Sequence, residues 1–70
     1  MEFLTIYMVF GNLLVTRINN SYFNFYTVYD RTMLDERNNY LELGSSIDAK
    51  VALNIIGNYF RACAMKNFIY

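Results

Sequence analysis

Hydrophobic residues fill most of the first thirty positions and are interrupted by short polar dipeptides, a pattern that predicts a β-meander. Phe3 to Phe10 is rich in aromatic and β-branched residues, and Gly11-Asn12 after it suits a two-residue hairpin turn with positive φ. Leu13 to Ile18 is the second predicted strand. Asn19-Asn20 is a second predicted turn, because Asn tolerates the left-handed region, and Ser21 to Tyr29 is the third strand.

Two-residue turns fix the register of this meander, because they pair Phe10 with Leu13 and Ile18 with Ser21. Neither predicted face is clearly polar, although the sheet of a small isolated domain normally has one solvated face. We therefore expect something to cover each face. The first face carries Leu4, Ile6, Met8, Phe10, Leu13, Val15, Arg17, Tyr22, Asn24, Tyr26 and Val28. The second carries Phe3, Thr5, Tyr7, Val9, Leu14, Thr16, Ile18, Phe23, Phe25, Thr27 and Tyr29.

The second half of the chain predicts a short strand and a helix. Asp30 to Arg37 holds five charges in eight residues and is expected to form a short helical turn or a solvated loop. Asn39 to Leu43 reads as a brief fourth strand closed by Gly44. Ser45 is the predicted helix cap, with Asp48 reaching back to its amide, and a helix follows from Ser46 to Met65.

The predicted helix has one weak position and a wide apolar surface. Gly57 costs about 1 kcal/mol in a helix interior relative to Ala, so a helix broken at Gly57 is the alternative. The apolar arc is wider than the ~100° that packing on one side requires. These elements together predict a single α+β domain over residues 1–70: an antiparallel three- to four-stranded β-meander with one C-terminal helix packed on the sheet.

Composition argues against catalysis and against a bound cofactor or metal. The chain has no His and a single Cys, so the common zinc ligand sets and a His-activated nucleophile cannot be built from it. Asp35 and Glu36 are adjacent, and their side chains diverge on either regular element. Cys63 falls on the apolar side of the predicted helix, where a buried small side chain is expected. We predict that the protein is not an enzyme and needs no cofactor.

Charge and hydropathy narrow the expected partners. Net charge is zero, which lowers the expectation of phosphate binding and favours association. The uncharged run Phe3 to Thr16 is too short for a spanning helix, and Met1-Glu2 lacks the basic start of a signal peptide. The expected location is therefore the cytoplasm, that of the host cell if the protein is viral, without membrane attachment. A chain of 70 residues is marginally stable alone, so a homodimer or higher oligomer is expected.

The aromatic-rich, weakly charged composition is typical of interface cores. It predicts a non-catalytic protein–protein interaction module, specifically a small phage or other mobile-element protein that binds and inhibits or modulates a host protein, in the general manner of anti-CRISPR proteins. Two alternatives stay open: a small nucleic-acid-binding module that uses the sheet face or a helix stripe from Lys50 to Arg61, and a structural subunit of a larger complex. The predicted partner-binding residues are Tyr22, Asn24 and Tyr26 on the exposed sheet face, together with Asp30, Arg31, Asp35, Glu36 and Arg37 in the charged loop.

Overall fold

The computed structural model describes residues 3–68, with side chains described from residue 4 to residue 64. The elements of this part follow in the order β1 (Phe3–Phe10), β2 (Leu13–Asn19), β3 (Asn24–Leu34), β4 (Tyr40–Ser46) and α1 (Ala49–Phe68). The strands form one antiparallel sheet in the order β1-β2-β3-β4. Helix α1 packs on one face of the sheet, over β3 and β4. The predicted α+β meander with a C-terminal helix is confirmed.

The first hairpin forms as predicted. Phe10 pairs with Leu13, and Gly11 has φ 60°, the positive value that a glycine at the first central turn position supplies without strain. Arg31 of β3 braces this turn, because its backbone N–H donates to the Asn12 carbonyl at 2.9 Å and its Nη2 donates to the Gly11 carbonyl at 2.6 Å.

The second turn differs from the prediction. Residues 20–23 form a loop, so that Asn19 pairs with Asn24, and the expected two-residue Asn19-Asn20 turn is wrong. The Asn20 side chain stabilises this loop by accepting from the N–H groups of Tyr22 at 2.8 Å and Phe23 at 3.0 Å. The register error is four residues, an even number, so the β3 side chains still lie on their predicted faces.

A β-bulge in β1 overturns the predicted faces at the start of the sheet. The register shifts between Ile6, which pairs with Thr16, and Met8, which pairs with Val15. The extra residue reverses the facing of everything before it. Leu4 and Ile6 therefore lie on the face opposite Met8, not on the same face as predicted.

Residues 30–34 continue β3 and are neither a helical turn nor a solvated loop, because the structure places Asp30 in the core and pairs Leu34 with Tyr40. The hairpin turns at residues 35–39. The Asp35 carboxylate holds this loop by accepting from the N–H groups of Arg37 at 2.8 Å and Asn39 at 3.0 Å. Asn38 adopts φ 63° there, in the left-handed region that Asn tolerates.

Strand β4 ends later than predicted, at Ser46 instead of Leu43, and helix α1 begins later than predicted, at Ala49 instead of Ser46. Ser45 and Ser46 pair with β3, so the cap is Asp48, whose side chain accepts from the Lys50 N–H at 2.9 Å. Gly44 lies inside β4 rather than closing it, and a Cβ there would lie 2.7 Å from Ile55 Cδ1. The absence of a side chain thus lets α1 approach the sheet. The helix runs unbroken through Gly57.

The core lies between α1 and the sheet face beneath it. Tyr7, at the β1 bulge, packs edge-on against Tyr26 with ring centroids 5.0 Å apart, and Phe10 packs in the same manner against Phe60 at 5.4 Å. The buried apolar side chains are Leu13, Val15, Tyr26, Val28, Ala52 and Ile56. The other sheet face has no helix on it within the described residues, so this fold provides a single hydrophobic layer.

Candidate functional site

The most strongly perturbed ionisable groups join the sheet to the helix. Asp30 is buried, and its carboxylate accepts from the Thr32 N–H at 2.8 Å, the Thr32 hydroxyl at 2.6 Å and the Tyr59 hydroxyl at 2.9 Å. The bonds from Thr32 hold the Asp30 pKa below its usual value against the opposing effect of burial. The bond to Asp30 is the main cause that raises the Tyr59 pKa to about 12. This arrangement satisfies a buried charge and fastens α1 to β3.

Two of the predicted partner-binding residues lie in the core. Tyr26 is 7% exposed and Asp30 is 1% exposed, both on the face that α1 covers. Tyr26 was expected on the exposed face of the sheet and Asp30 in a charged loop. Both expectations of exposure are wrong, because the helix packs on the face that carries these two residues.

The other predicted binding residues are divided between the two ends of the sheet. Tyr22 is 91% exposed in the β2–β3 loop, next to Asn24, whose side chain accepts from Asn19 at 2.7 Å. Glu36 and Arg37 are exposed at the tip of the β3–β4 hairpin. Strand β3 has eleven residues between these ends, about 35 Å of extended chain. The structure therefore does not bring the predicted residues together into one surface.

The face of the sheet opposite α1 carries a continuous apolar surface, which we call the open face. Cross-strand partners in antiparallel pairs lie on the same side of a sheet, so the register assigns its members. Ile6 and Leu4 are its most exposed large side chains, 67% and 69% exposed. The open face comprises Leu4, Ile6, Val9, Leu14, Thr16, Ile18, Phe25, Thr27, Tyr29 and Glu42.

A shallow groove of about 420 Å³ lies on the open face beside the β3–β4 hairpin. Its floor is formed by side chains of β1, β2 and β3, and its rim by the hairpin loop and β4. The rim contributes two carboxylates, those of Asp35 and Glu42, and no lining residue is basic. The complete lining is Leu4, Leu14, Thr16, Tyr29, Asp35, Asn39, Tyr40 and Glu42.

The cations of the sheet lie elsewhere. The Arg17 guanidinium lies 5.7 Å from the centroid of the Tyr7 ring, on the side of the sheet that α1 covers, and its Nε is buried without a hydrogen-bond partner. The Arg31 side chain is bonded to the first hairpin turn. The groove thus combines an apolar floor with an acidic rim.

Sequence reasoning missed the groove because it depends on the β1 bulge. The apolar content of both predicted faces did indicate that surface would remain after the helix packed. The pattern did not show which face of the sheet the helix covers. It also did not show that Leu4 lies with Leu14 and Tyr29 on the open face.

Other candidate chemistry is sparse in the described part of the chain. Cys63 is exposed, so the expectation that it is buried is wrong. Lys50 and Arg61 are exposed on α1. Among the described residues, no three His, Cys, Asp or Glu side chains are close enough to hold a metal ion, and no helix has the length and apolar character to cross a membrane. The chain matches no protein-family model, and no curated protein or solved structure is significantly similar to it.

Proposed function

We propose that this protein is a non-catalytic protein-binding module that uses the groove of the open face. The observation that carries the proposal is the continuous apolar surface opposite α1, bounded on one side by Asp35 and Glu42. Apolar centres with polar rims are the usual anatomy of protein interfaces, and large exposed apolar patches on small domains mark interaction surfaces.

The charge of the groove defines the chemistry of the partner. A ligand that places apolar side chains over Leu14 and Tyr29 and a Lys or Arg beside Glu42 complements both parts of the surface. Nucleic acid is a poor match for this face, since its phosphates would meet two carboxylates and no cation. In this proposal the protein modulates a host protein by covering part of its surface, and a phage or mobile-element origin is supported by composition alone.

Selection of binding peptides from a displayed random library tests the proposal. We expect the recovered peptides to combine apolar residues with Lys or Arg, and to bind at least tenfold more weakly to Thr16→Lys. That variant places a cation on the groove floor, where Thr16 is only half-buried, and the cation repels the basic residue of the peptide. The matched control is Leu53→Lys, which adds the same charge on the exposed surface of α1 and should bind like wild type.

Two results would overturn the proposal. One is recovery of peptides whose affinity is the same for wild type and Thr16→Lys. The other is an absence of peptide binding together with salt-sensitive binding of a mixed-sequence oligonucleotide, which would place the nucleic-acid alternative first.

A further inference from the structure

We propose that the outer edge of β1 is a homodimerisation surface, at which a second copy of this chain pairs antiparallel with β1 and extends the sheet to eight strands. This inference concerns a different surface from the groove and does not rest on the proposed function. A two-fold axis perpendicular to the sheet would place both helices on one side and both open faces on the other.

Strand β1 has the features of an edge that is meant to be paired. It pairs only with β2, so one row of its backbone N–H and C=O groups has no strand partner among the described residues. Proteins ordinarily protect such an edge with charged residues, with Pro or with a covering element. Phe3–Phe10 contains no charged residue and no Pro. Its bulge is the one such device among the described residues. Helix α1 packs mainly on β3 and β4, and it reaches the face of β1 where Phe60 contacts Phe10.

The charge pattern selects β1 over the other edge and favours a second copy as the occupant. At a two-fold axis each side chain meets its own copy or a near neighbour of it. Strand β4 would bring Glu42 near the Glu42 of its partner, an unfavourable pair of like charges. Strand β1 brings together only uncharged side chains. A zero net charge adds no long-range repulsion between copies.

The chain also exposes more surface than a compact monomer of its mass, which leaves area available for a second copy. A monomeric protein of 8.3 kDa is expected to expose about 4,600 Å², whereas this chain exposes 5560 Å². The excess, about 1,000 Å², is close to the roughly 800 Å² that each partner contributes to a standard interface. The radius of gyration of 13.4 Å likewise exceeds the value of about 11 Å expected for 70 residues.

The side chains around this edge supply apolar contact on both sides of the sheet. Ile6 and Val9 flank it on the open face, where they are 67% and 52% exposed. Tyr7 and Phe10 flank it on the helix side and are also exposed. Pairing of the two β1 strands would bury part of each of these four side chains, in addition to joining the backbones.

Light scattering coupled to size-exclusion chromatography, on the full chain at moderate salt, tests the inference with one matched pair of variants. Wild type is expected to elute as a dimer of twice the chain mass. Ile6→Lys places a charge at the edge strand and should give a folded monomer. Thr16→Lys places the same charge on the same face one strand further in, since Thr16 is the cross-strand partner of Ile6, and should remain dimeric.

The outcomes separate edge pairing from other forms of association. A wild-type monomer at 100 μM would overturn the inference. Dissociation by Thr16→Lys would also overturn it, because that result indicates two open faces packed against each other. Circular dichroism of each variant establishes that it is folded, and Val9→Lys replaces Ile6→Lys if the latter unfolds. If a monomeric Ile6→Lys variant still binds peptides in the groove, the proposed function holds whether or not β1 is a dimer interface.

Discussion

Asp30 is a buried carboxylate whose charge is balanced by hydrogen bonds rather than by a cation. Since Thr32 and Tyr59 donate to it, Asp30→Asn should lower the free energy of unfolding by about 2 kcal/mol at pH 7. The Asp30 pKa is held below its usual value of 3.8, chiefly by the bonds from Thr32. The unfolded chain therefore takes up this proton at a higher pH than the folded chain does. The stabilisation is present above about pH 4 and is lost as the pH falls through the folded pKa.

Urea unfolding of wild type and Asp30→Asn at pH 7 and pH 3 measures this effect. The difference between the two proteins should shrink at pH 3. Glu36→Gln is the control, because Glu36 is exposed at the tip of the β3–β4 hairpin. A difference for Asp30→Asn that is equal at both pH values would contradict the assignment of a charged Asp30 in the folded protein.

Tyr59 gives the opposite pH dependence at the alkaline end. The bond to Asp30 raises the Tyr59 pKa to about 12 from its usual 10.0. The stabilisation that the Tyr59–Asp30 hydrogen bond provides is therefore complete below about pH 10 and is lost as the pH rises toward 12. Tyr59→Phe should unfold more easily at pH 8 and lose less stability than wild type between pH 10 and 11.5, as measured by denaturant unfolding. Tyr22→Phe, on the exposed loop, should retain the wild-type alkaline loss.

At the scale of elements, α1 passes through a glycine that has no structural need to be one. A Cβ at Gly57 would meet no atom within 4 Å. Gly57→Ala should therefore raise the free energy of unfolding by about 1 kcal/mol through helix propensity. Gly44→Ala is the contrasting variant, because its Cβ would lie 2.7 Å from Ile55 Cδ1 and force that side chain to move. A melting temperature of Gly57→Ala lower than that of wild type would indicate that the helix is broken at this position.

The elements that the sequence predicts well are those whose determinants are local. The Gly11-Asn12 turn fixed the first hairpin, because a single residue with positive φ and its neighbour decide that turn. The helix was predicted within three residues at each end, because its apolar periodicity and capping residues are adjacent in sequence. Its cap was misplaced only because Ser45 and Ser46 are used by β4.

The features that escaped prediction depend on distant partners. Asp30 and Arg31 look like the start of a charged loop, yet Asp30 is satisfied by Tyr59, 29 residues away, and Arg31 by the turn at Gly11. The β1 bulge has no marker such as Gly in its own residues, and it is the bulge that moves Leu4 and Ile6 onto the open face. The groove could therefore not be predicted from the sequence, although the surplus of apolar surface could.

At the scale of the whole molecule, the fold is one sheet and one helix in a body of 50 × 28 × 17 Å. Among the described residues, a single layer of this thickness leaves one sheet face and the edges at β1 and β4 uncovered. If the two open surfaces have the separate roles proposed above, dimerisation through β1 doubles the length of the open face without covering the groove. Binding and self-association then reinforce each other through avidity for any partner that carries two sites.

Dimerisation of this kind makes thermal stability depend on protein concentration. When the dimer dissociates as it unfolds, the free energy of unfolding of the dimer rises by about 1.4 kcal/mol for each tenfold rise in protein concentration above the dissociation constant. This free energy is shared between two chains, about 0.7 kcal/mol for each, so the melting temperature of a domain of this size should rise by about 4 °C per tenfold. Differential scanning calorimetry of wild type from 10 μM to 1 mM measures the slope. Ile6→Lys should melt at one temperature throughout this range, whereas Thr16→Lys should keep the wild-type slope. A wild-type melting temperature that does not change with concentration would leave β1 an unpaired edge, and the excess surface would then belong to the open face alone.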